Sequence, residues 1–283
     1  QYNLAKEYFE YALNQAENLF KETGAIQSQS DMATFYQAIA EIEITIGHIT
    51  EAHTWADRFM INIEKVYKAI DSKSCSEDYA RSFILHARIL IAEGITDDAE
   101  KALSEAETIL KKIYTNHPGD LEAGGLLATI NYLLGDALLF NKQSNSAEHY
   151  YKAALEYINE IKPHAENPSS VESDESAILE RLGNIAKLKD NILQAKQLFE
   201  EALTLRRKIA SQSMAPSTLE GLWTLRQSLG DIAYSMNDNS TAYKYYSEGL
   251  TVAESVMQST DNPLDLKALV VMYERMGMVE QAA

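Results

Sequence analysis

Residue types that would point to cross-linked, turn-rich or membrane-embedded structures are scarce in this chain. Its 283 residues include one cysteine, Cys75, which excludes an internal disulfide and predicts a reducing, cytoplasmic location. Only 5 prolines and 12 glycines are present, which argues against turn-rich β architectures. No apolar run approaches the length that crosses a bilayer, so membrane insertion is not predicted.

Positive charge is also scarce. The chain has 25 Lys and Arg against 42 Asp and Glu, which leaves a net charge of −17. Such a surface repels phosphate backbones, so nucleic acid is not a predicted partner. The longest basic run, Arg206-Arg207-Lys208, is interpreted as part of one solvated helix face.

The chain contains an internal repeat. An alanine recurs at intervals of 47 or 48 residues, with a shorter last interval of 40, at Ala5, Ala52, Ala99, Ala147, Ala195, Ala242 and Ala282. Twelve residues before the last six of these stands a small or modest residue: Ala40, Ala87, Gly135, Gly183, Gly230 and Val270. A constant spacing inside each repeat and a variable spacing between repeats predict helix hairpins joined by connectors of variable length.

The second helix of each hairpin carries a stripe of small and large residues. Four residues after the recurring alanine come Phe9, Ala56, Leu103, Tyr151, Phe199 and Tyr246. This spacing places the large residue on the same helical face as the alanine, where it packs beside the small residue of the first helix. In the second copy the order is exchanged, with Ala56 followed by Phe59.

Turn and cap signals fit the same hairpins. Gly47, Gly94 and Gly277 stand five residues before the recurring alanine, where a positive φ would suit the turn between the helices. Candidate helix starts are the capping boxes Ser217 with Glu220 and Ser74 with Glu77, and the pair Asn262-Pro263.

These columns resemble those of the tetratricopeptide repeat family. The family pattern is a Leu-Gly pair in the first helix, then an alanine and an aromatic four residues later in the second. It is matched by Leu134-Gly135, Ala147 and Tyr151, by Leu182-Gly183, Ala195 and Phe199, and by Leu229-Gly230, Ala242 and Tyr246. The period of 47–48 residues departs from the usual 34 and also suits HEAT-type arrays, which do not predict these columns. The resemblance implies an all-α, right-handed solenoid of antiparallel helix pairs.

We expect one solenoid over residues 1–283, as a segment of a longer protein. Residues 1–24 are the second helix of a truncated repeat, and residues 263–283 begin a further one. The repeats between them are predicted at 31–70, 76–115, 119–162, 173–211 and 217–258.

Patterns that carry catalytic chemistry are missing from the sequence. It has no phosphate-binding glycine loop and no nucleophile elbow. His48 and His53 are five residues apart, the wrong interval for two ligands on one helical face, and His86 is interpreted as wedged between helices. We therefore predict no enzyme activity, no catalytic residues, no cofactor and no metal.

The resemblance also implies that the first helices line a concave groove. One stripe of these helices supplies the candidate partner-binding residues Gln37, Glu41, Arg81, Arg88, Tyr132, Asp136, Glu180, Asn184, Lys187, Gln227, Asp231 and Tyr234. Arg81 and Arg88 are unusual cations in an acidic chain. Either they bind an acidic group of a partner, or Glu41 or Asp136 from adjacent copies neutralises them.

The predicted function is a scaffold that binds a protein or peptide in this groove. A peptide-sensing regulatory domain and the non-catalytic arm of a larger protease or kinase are the alternatives. Chaperone C-terminal tails, which some family members bind, are not predicted partners, because Glu180 precedes Asn184 and would repel a carboxylate. Self-association through uncapped ends is a further hypothesis.

Overall fold

The computed structural model describes residues 2–212, 216–259 and 263–281, which form twelve α-helices and one short 3-10 segment, Lys162–His164. The helices are α1 Tyr2–Thr23, α2 Ile26–Ile46, α3 Ile49–Ala69, α4 Lys73–Glu93, α5 Thr96–Asn116, α6 Leu121–Phe140, α7 Ser144–Ile161, α8 Ser169–Leu188, α9 Ile192–Gln212, α10 Pro216–Ser235, α11 Asn239–Ser259 and α12 Pro263–Gln281. No strand occurs in the described part of the chain. The predicted all-α class is confirmed.

The chain divides into two compact units, Gln1–His164 and Ala165–Ala283. In the first unit α2 packs on α3, α4 on α5 and α6 on α7, and in the second α8 packs on α9 and α10 on α11. These are the hairpins that the repeat predicts, each made of a first and a second helix. One array continuing through residues 1–283 stays a prediction.

The core of each hairpin is an interlock between a small and a large residue. A Cβ atom added to Gly135 would lie 2.6 Å from the Tyr151 ring, and one added to Gly183 would lie 2.7 Å from the Phe199 ring. Both rings are fully buried. Glycine therefore lets the second helix approach closely enough for its aromatic ring to lie over the first helix, as the twelve-residue spacing predicts.

The turns inside the hairpins share one backbone conformation. Gly47 and Gly94 have φ values of 83° and 79°, as predicted. The same repeat position in the next three hairpins also has a positive φ, although the residues there are Lys142, Asp190 and Asn237. The prediction for Gly277 is wrong, because α12 continues through it and a helix tolerates an unconstrained glycine at modest cost.

The helix caps agree only in part with the sequence patterns. The cap of α4 is Ser72, whose side chain accepts a hydrogen bond from the Cys75 backbone N–H at 3.2 Å. The prediction of Ser74 is wrong because Ser74 already lies inside the first turn. The Ser217 side chain, Asn262 and Ala282 lie outside the described residues.

Helix α6 is the most apolar of the described helices. Among the described helices, α6 is the one whose length and composition would allow it to cross a membrane. The prediction that no apolar run approaches that length is therefore too strict. Within unit 1, however, 56% of its apolar window is buried against the rest of the protein. A helix that is hydrophobic on all sides is typical of a domain core.

Candidate functional site

The predicted partner-binding residues lie on the first helices of the hairpins, on a surface that we call the first-helix face. In unit 1 this face consists of Gln37, Glu41, Arg81, Arg88, Tyr132 and Asp136, on α2, α4 and α6. In unit 2 it consists of Glu180, Asn184, Lys187, Gln227, Asp231 and Tyr234, on α8 and α10. All twelve residues are half-buried. Helix α4 contacts both α2 and α6, and α8 contacts α10, so each unit has a layer of neighbouring first helices.

The two arginines of α4 have different surroundings. Arg81 forms ion pairs with Asp78 on its own helix, at 3.5 Å, and with Glu122 on α6. Arg88 makes no hydrogen bond, ion pair or ring contact with another residue of the described chain. Arg81 therefore ties adjacent first helices together, through acids other than those the sequence suggested. Arg88 keeps its guanidinium available.

The neighbours of Arg88 on the same face are engaged within the protein. Gln37 donates a hydrogen bond to Glu41 on the same helix, at 2.9 Å. Tyr132 packs its ring against Tyr151, with 5.7 Å between centroids, and the Tyr151 hydroxyl donates to Asp136. Because the Tyr151 ring lies over Gly135, its hydroxyl emerges beside the first-helix face. Tyr151 of α7 thus helps to position the carboxylate of Asp136 on α6.

Unit 2 repeats this tyrosine–aspartate contact on α10. The Tyr246 hydroxyl donates to Asp231 at 2.8 Å, and Arg275 of α12 forms an ion pair with the same carboxylate at 3.0 Å. Burial and the hydrogen bond to Asp231 raise the pKa of Tyr246 above its ordinary value. These three side chains, with Tyr234 and Met278, line a pocket of about 200 Å³. In the hairpin before it, Phe199 and Asn184 replace the tyrosine and the aspartate, so no such hydrogen bond is made there.

Acidic groups on α8 are held in a partly dehydrated setting. Burial raises the pKa of Glu180, and it raises that of Asp174 to about 6 although part of the Asp174 side chain remains exposed to water. Neither carboxylate makes a hydrogen bond or a close ion pair with another described side chain. Lys187 lies about two helical turns beyond Glu180 on α8, with its Nζ 6.0 Å from the Phe199 ring centroid.

Arg206 is a functional candidate that the sequence pattern missed. The sequence predicts that Arg206 lies on a solvated helix face, but the residue is only 9% exposed. Its guanidinium donates a hydrogen bond to the Ser173 hydroxyl at 3.1 Å. Its Nε has no hydrogen-bond partner, and a Cβ on Gly221 would lie 2.7 Å from that atom. Its charge also acts on Asp174 and Glu180. Asp174 could have been found from the sequence, because it continues the stripe of α8 that contains Glu180 and Asn184.

A model of the tetratricopeptide repeat matches the sequence at residues 128–160 and 176–209. These segments span α6 with α7 and α8 with α9, two of the hairpins that show the glycine–aromatic interlock. The chain contains tetratricopeptide repeats at these two segments. Comparison of the sequence with curated proteins finds no match.

Several solved structures are similar to this chain in fold. BtubC from P. vanneervenii has a TM-score of 0.65 at 15% identity, covering 93% of this chain and 95% of BtubC. A Rap protein complexed with competence and sporulation factor has a TM-score of 0.60 at 13% identity, covering 97% and 75%. A signal transduction ATPase with a tetratricopeptide repeat sensor, from Pyrococcus horikoshii, has a TM-score of 0.59 at 15% identity, and the chain spans 40% of its length.

Proposed function

We propose that this protein binds a protein or peptide partner on its first-helix face, without catalysing a reaction itself. Arg88, a half-buried residue whose guanidinium has no partner in the described chain, is the observation that carries the proposal. The similar Rap protein is complexed with competence and sporulation factor, which supports a binding role for the fold. A cytoplasmic location is part of the proposal and rests on the single free cysteine, Cys75.

The setting of Arg88 favours an acidic group of the partner. The guanidinium makes no hydrogen bond or ion pair within the described chain, so its N–H donors can bind a carboxylate of the partner. The guanidinium can donate two parallel hydrogen bonds to such a group. The chain carries 42 acidic residues, yet none of the described ones neutralises Arg88, whereas Arg81 on the same helix is paired twice. Tyr132 on α6 offers a half-buried ring for the apolar part of a ligand.

A peptide library tests this proposal with a matched pair of variants. Random peptides displayed on phage are selected against the wild-type protein, and the affinity of the most enriched peptide is measured by fluorescence polarisation. We expect the enriched peptides to contain Asp, Glu or a free terminal carboxylate. Arg88→Ala should weaken their binding at least about tenfold, or about 1.4 kcal/mol, and leave the melting temperature nearly unchanged.

Arg81→Ala is the control, since it removes the same charge from the same helix two turns away. It breaks ion pairs at a partly exposed site, so we expect a small loss of stability, about 0.5–1 kcal/mol, and little change in peptide affinity. Equal affinities of the wild type and the Arg88→Ala variant would contradict the proposal. So would a selection that enriches no peptide.

A further inference from the structure

Two histidines and an aspartate that are distant in sequence come together between α3 and α4. His53 and Asp57 are four residues apart on α3 and therefore share one helical face. His86 approaches them from α4. The candidate ligand atoms of the three side chains all lie within 4.8 Å of one another, and His86 Nδ1 is 4.0 Å from Asp57 Oδ1. The two imidazole rings meet edge to face, with 5.4 Å between their centroids.

The cluster contains a polar atom that the protein leaves unsatisfied. His86 Nδ1 is buried and has no hydrogen-bond partner in the described chain. Buried polar atoms are normally paired, so one that faces a carboxylate and a second imidazole calls for an explanation.

A further carboxylate stands behind His53. Glu93 Oε2, at the end of α4, lies 2.8 Å from His53 Nε2. Histidines that bind metals usually have their second ring nitrogen hydrogen-bonded to a carboxylate or a carbonyl, which fixes the tautomer and the orientation of the ring. Glu93 would act in this way on a His53 that binds the ion through Nδ1, because Nε2 is the nitrogen that contacts Glu93.

From this geometry we propose that His53, Asp57 and His86 bind one divalent transition-metal ion. Two imidazoles and one carboxylate suit zinc, with a water molecule in the fourth position. Metal–ligand bonds of about 2.0–2.2 Å place tetrahedral ligands about 3.3 Å apart, so ligand atoms that lie up to 4.8 Å apart must close in by up to about 1.5 Å. Their partial exposure leaves room for this adjustment. The ion would join the second helix of one hairpin to the first helix of the next.

Metal binding is tested on the purified full chain, after removal of any affinity tag and treatment with a chelator. Isothermal titration with ZnCl₂ should show one saturable site per chain, and zinc should raise the melting temperature. Cobalt(II) should give the intense visible absorption of a four-coordinate site. His53→Gln and Asp57→Asn, which change partly exposed side chains, should each abolish the saturable binding and the zinc-dependent shift. His86→Gln should do the same, and the first two variants keep the test valid if it folds poorly.

Two further variants separate this site from other histidines and acids. His149→Ala removes an exposed histidine outside the cluster and should leave zinc binding unchanged. Glu93→Gln should weaken zinc binding about tenfold with the stoichiometry and the apo melting temperature unchanged, as expected for a positioning residue. The absence of saturable zinc binding would overturn the proposal. Equal zinc affinity of the wild type, His53→Gln and Asp57→Asn would overturn it as well.

Discussion

At the scale of single residues, the stability of the α6–α7, α8–α9 and α10–α11 hairpins depends on glycines that make room for an aromatic ring. Helix α6 contains one glycine that lies against such a ring and another that does not. Gly135 touches the buried Tyr151 ring, whereas the nearest atom to a Cβ on Gly125 would be Ile161 Cδ1 at 3.9 Å. A methyl group therefore meets a clash at Gly135 and an ordinary van der Waals contact at Gly125.

These two glycines should respond to alanine with opposite signs. Gly135→Ala forces the fully buried Tyr151 ring to move, and we expect a loss of about 1–3 kcal/mol in the free energy of unfolding. Gly125→Ala adds helix propensity without overpacking and should raise that free energy by up to about 1 kcal/mol. Urea unfolding followed by circular dichroism measures both. A stable Gly135→Ala variant would show that the interlock is looser than the structure indicates.

At the scale of the helix pair, a shared left-handed turn closes every hairpin from α2–α3 to α10–α11, whichever residue occupies it. Glycine adopts this conformation freely at Gly47 and Gly94, and Asn and Asp tolerate it better than other residues do. Lys142, with φ of 61°, is therefore the most strained of the five. The hairpin packing must offset the cost, because the turn keeps its geometry there.

Replacing Lys142 with glycine should relieve that strain. We expect Lys142→Gly to raise the free energy of unfolding by about 0.5–1 kcal/mol, since the gain exceeds the extra entropy of glycine in the unfolded chain. The Lys142 side chain is exposed and makes no hydrogen bond or ion pair with another described residue. Asp190→Gly and Asn237→Gly serve as comparisons, and each should gain less. Thermal denaturation of the three variants measures the order. A destabilised Lys142→Gly variant would refute this account.

At the scale of the whole molecule, the packing around individual helices is uneven. Within unit 1, α1 buries only Leu13 and Ala16 and leaves Tyr8 and Tyr11 68% and 69% exposed. Helix α6 in the same unit buries ten residues over more than half of its circumference. The stability of a repeat protein is roughly a sum over its hairpins and their nearest-neighbour interfaces, so local opening should follow these differences.

Hydrogen exchange should therefore distinguish these two helices. Backbone amides of α1 should exchange at least about tenfold faster than those of α6, because opening α1 exposes much less buried apolar surface. Native-state exchange followed by mass spectrometry on the intact chain provides the measurement. Equal protection of α1 and α6 would indicate that unit 1 opens only as a whole.

The sequence by itself determined the helical class, the hairpins, the glycine–aromatic interlock and two of the five turns, at Gly47 and Gly94. These features depend on residues within one hairpin, where the helical period decides which side chains meet. It missed the turn role of Lys142, because a positive φ at lysine leaves no compositional signal. It also suggested twelve residues of a first-helix face, and their role in binding stays a prediction.

Only the tertiary structure decided how one hairpin meets the next within a unit. That packing pairs Arg81 with Glu122, leaves Arg88 free of partners in the described chain, and brings His86 beside His53. His53 and His86 lie on helices separated by a connector of variable length, so their spacing carries no ligand pattern. The helical period determines which way a side chain points from its own helix. It does not determine the rotation between successive hairpins, which depends on the packing of all their side chains together.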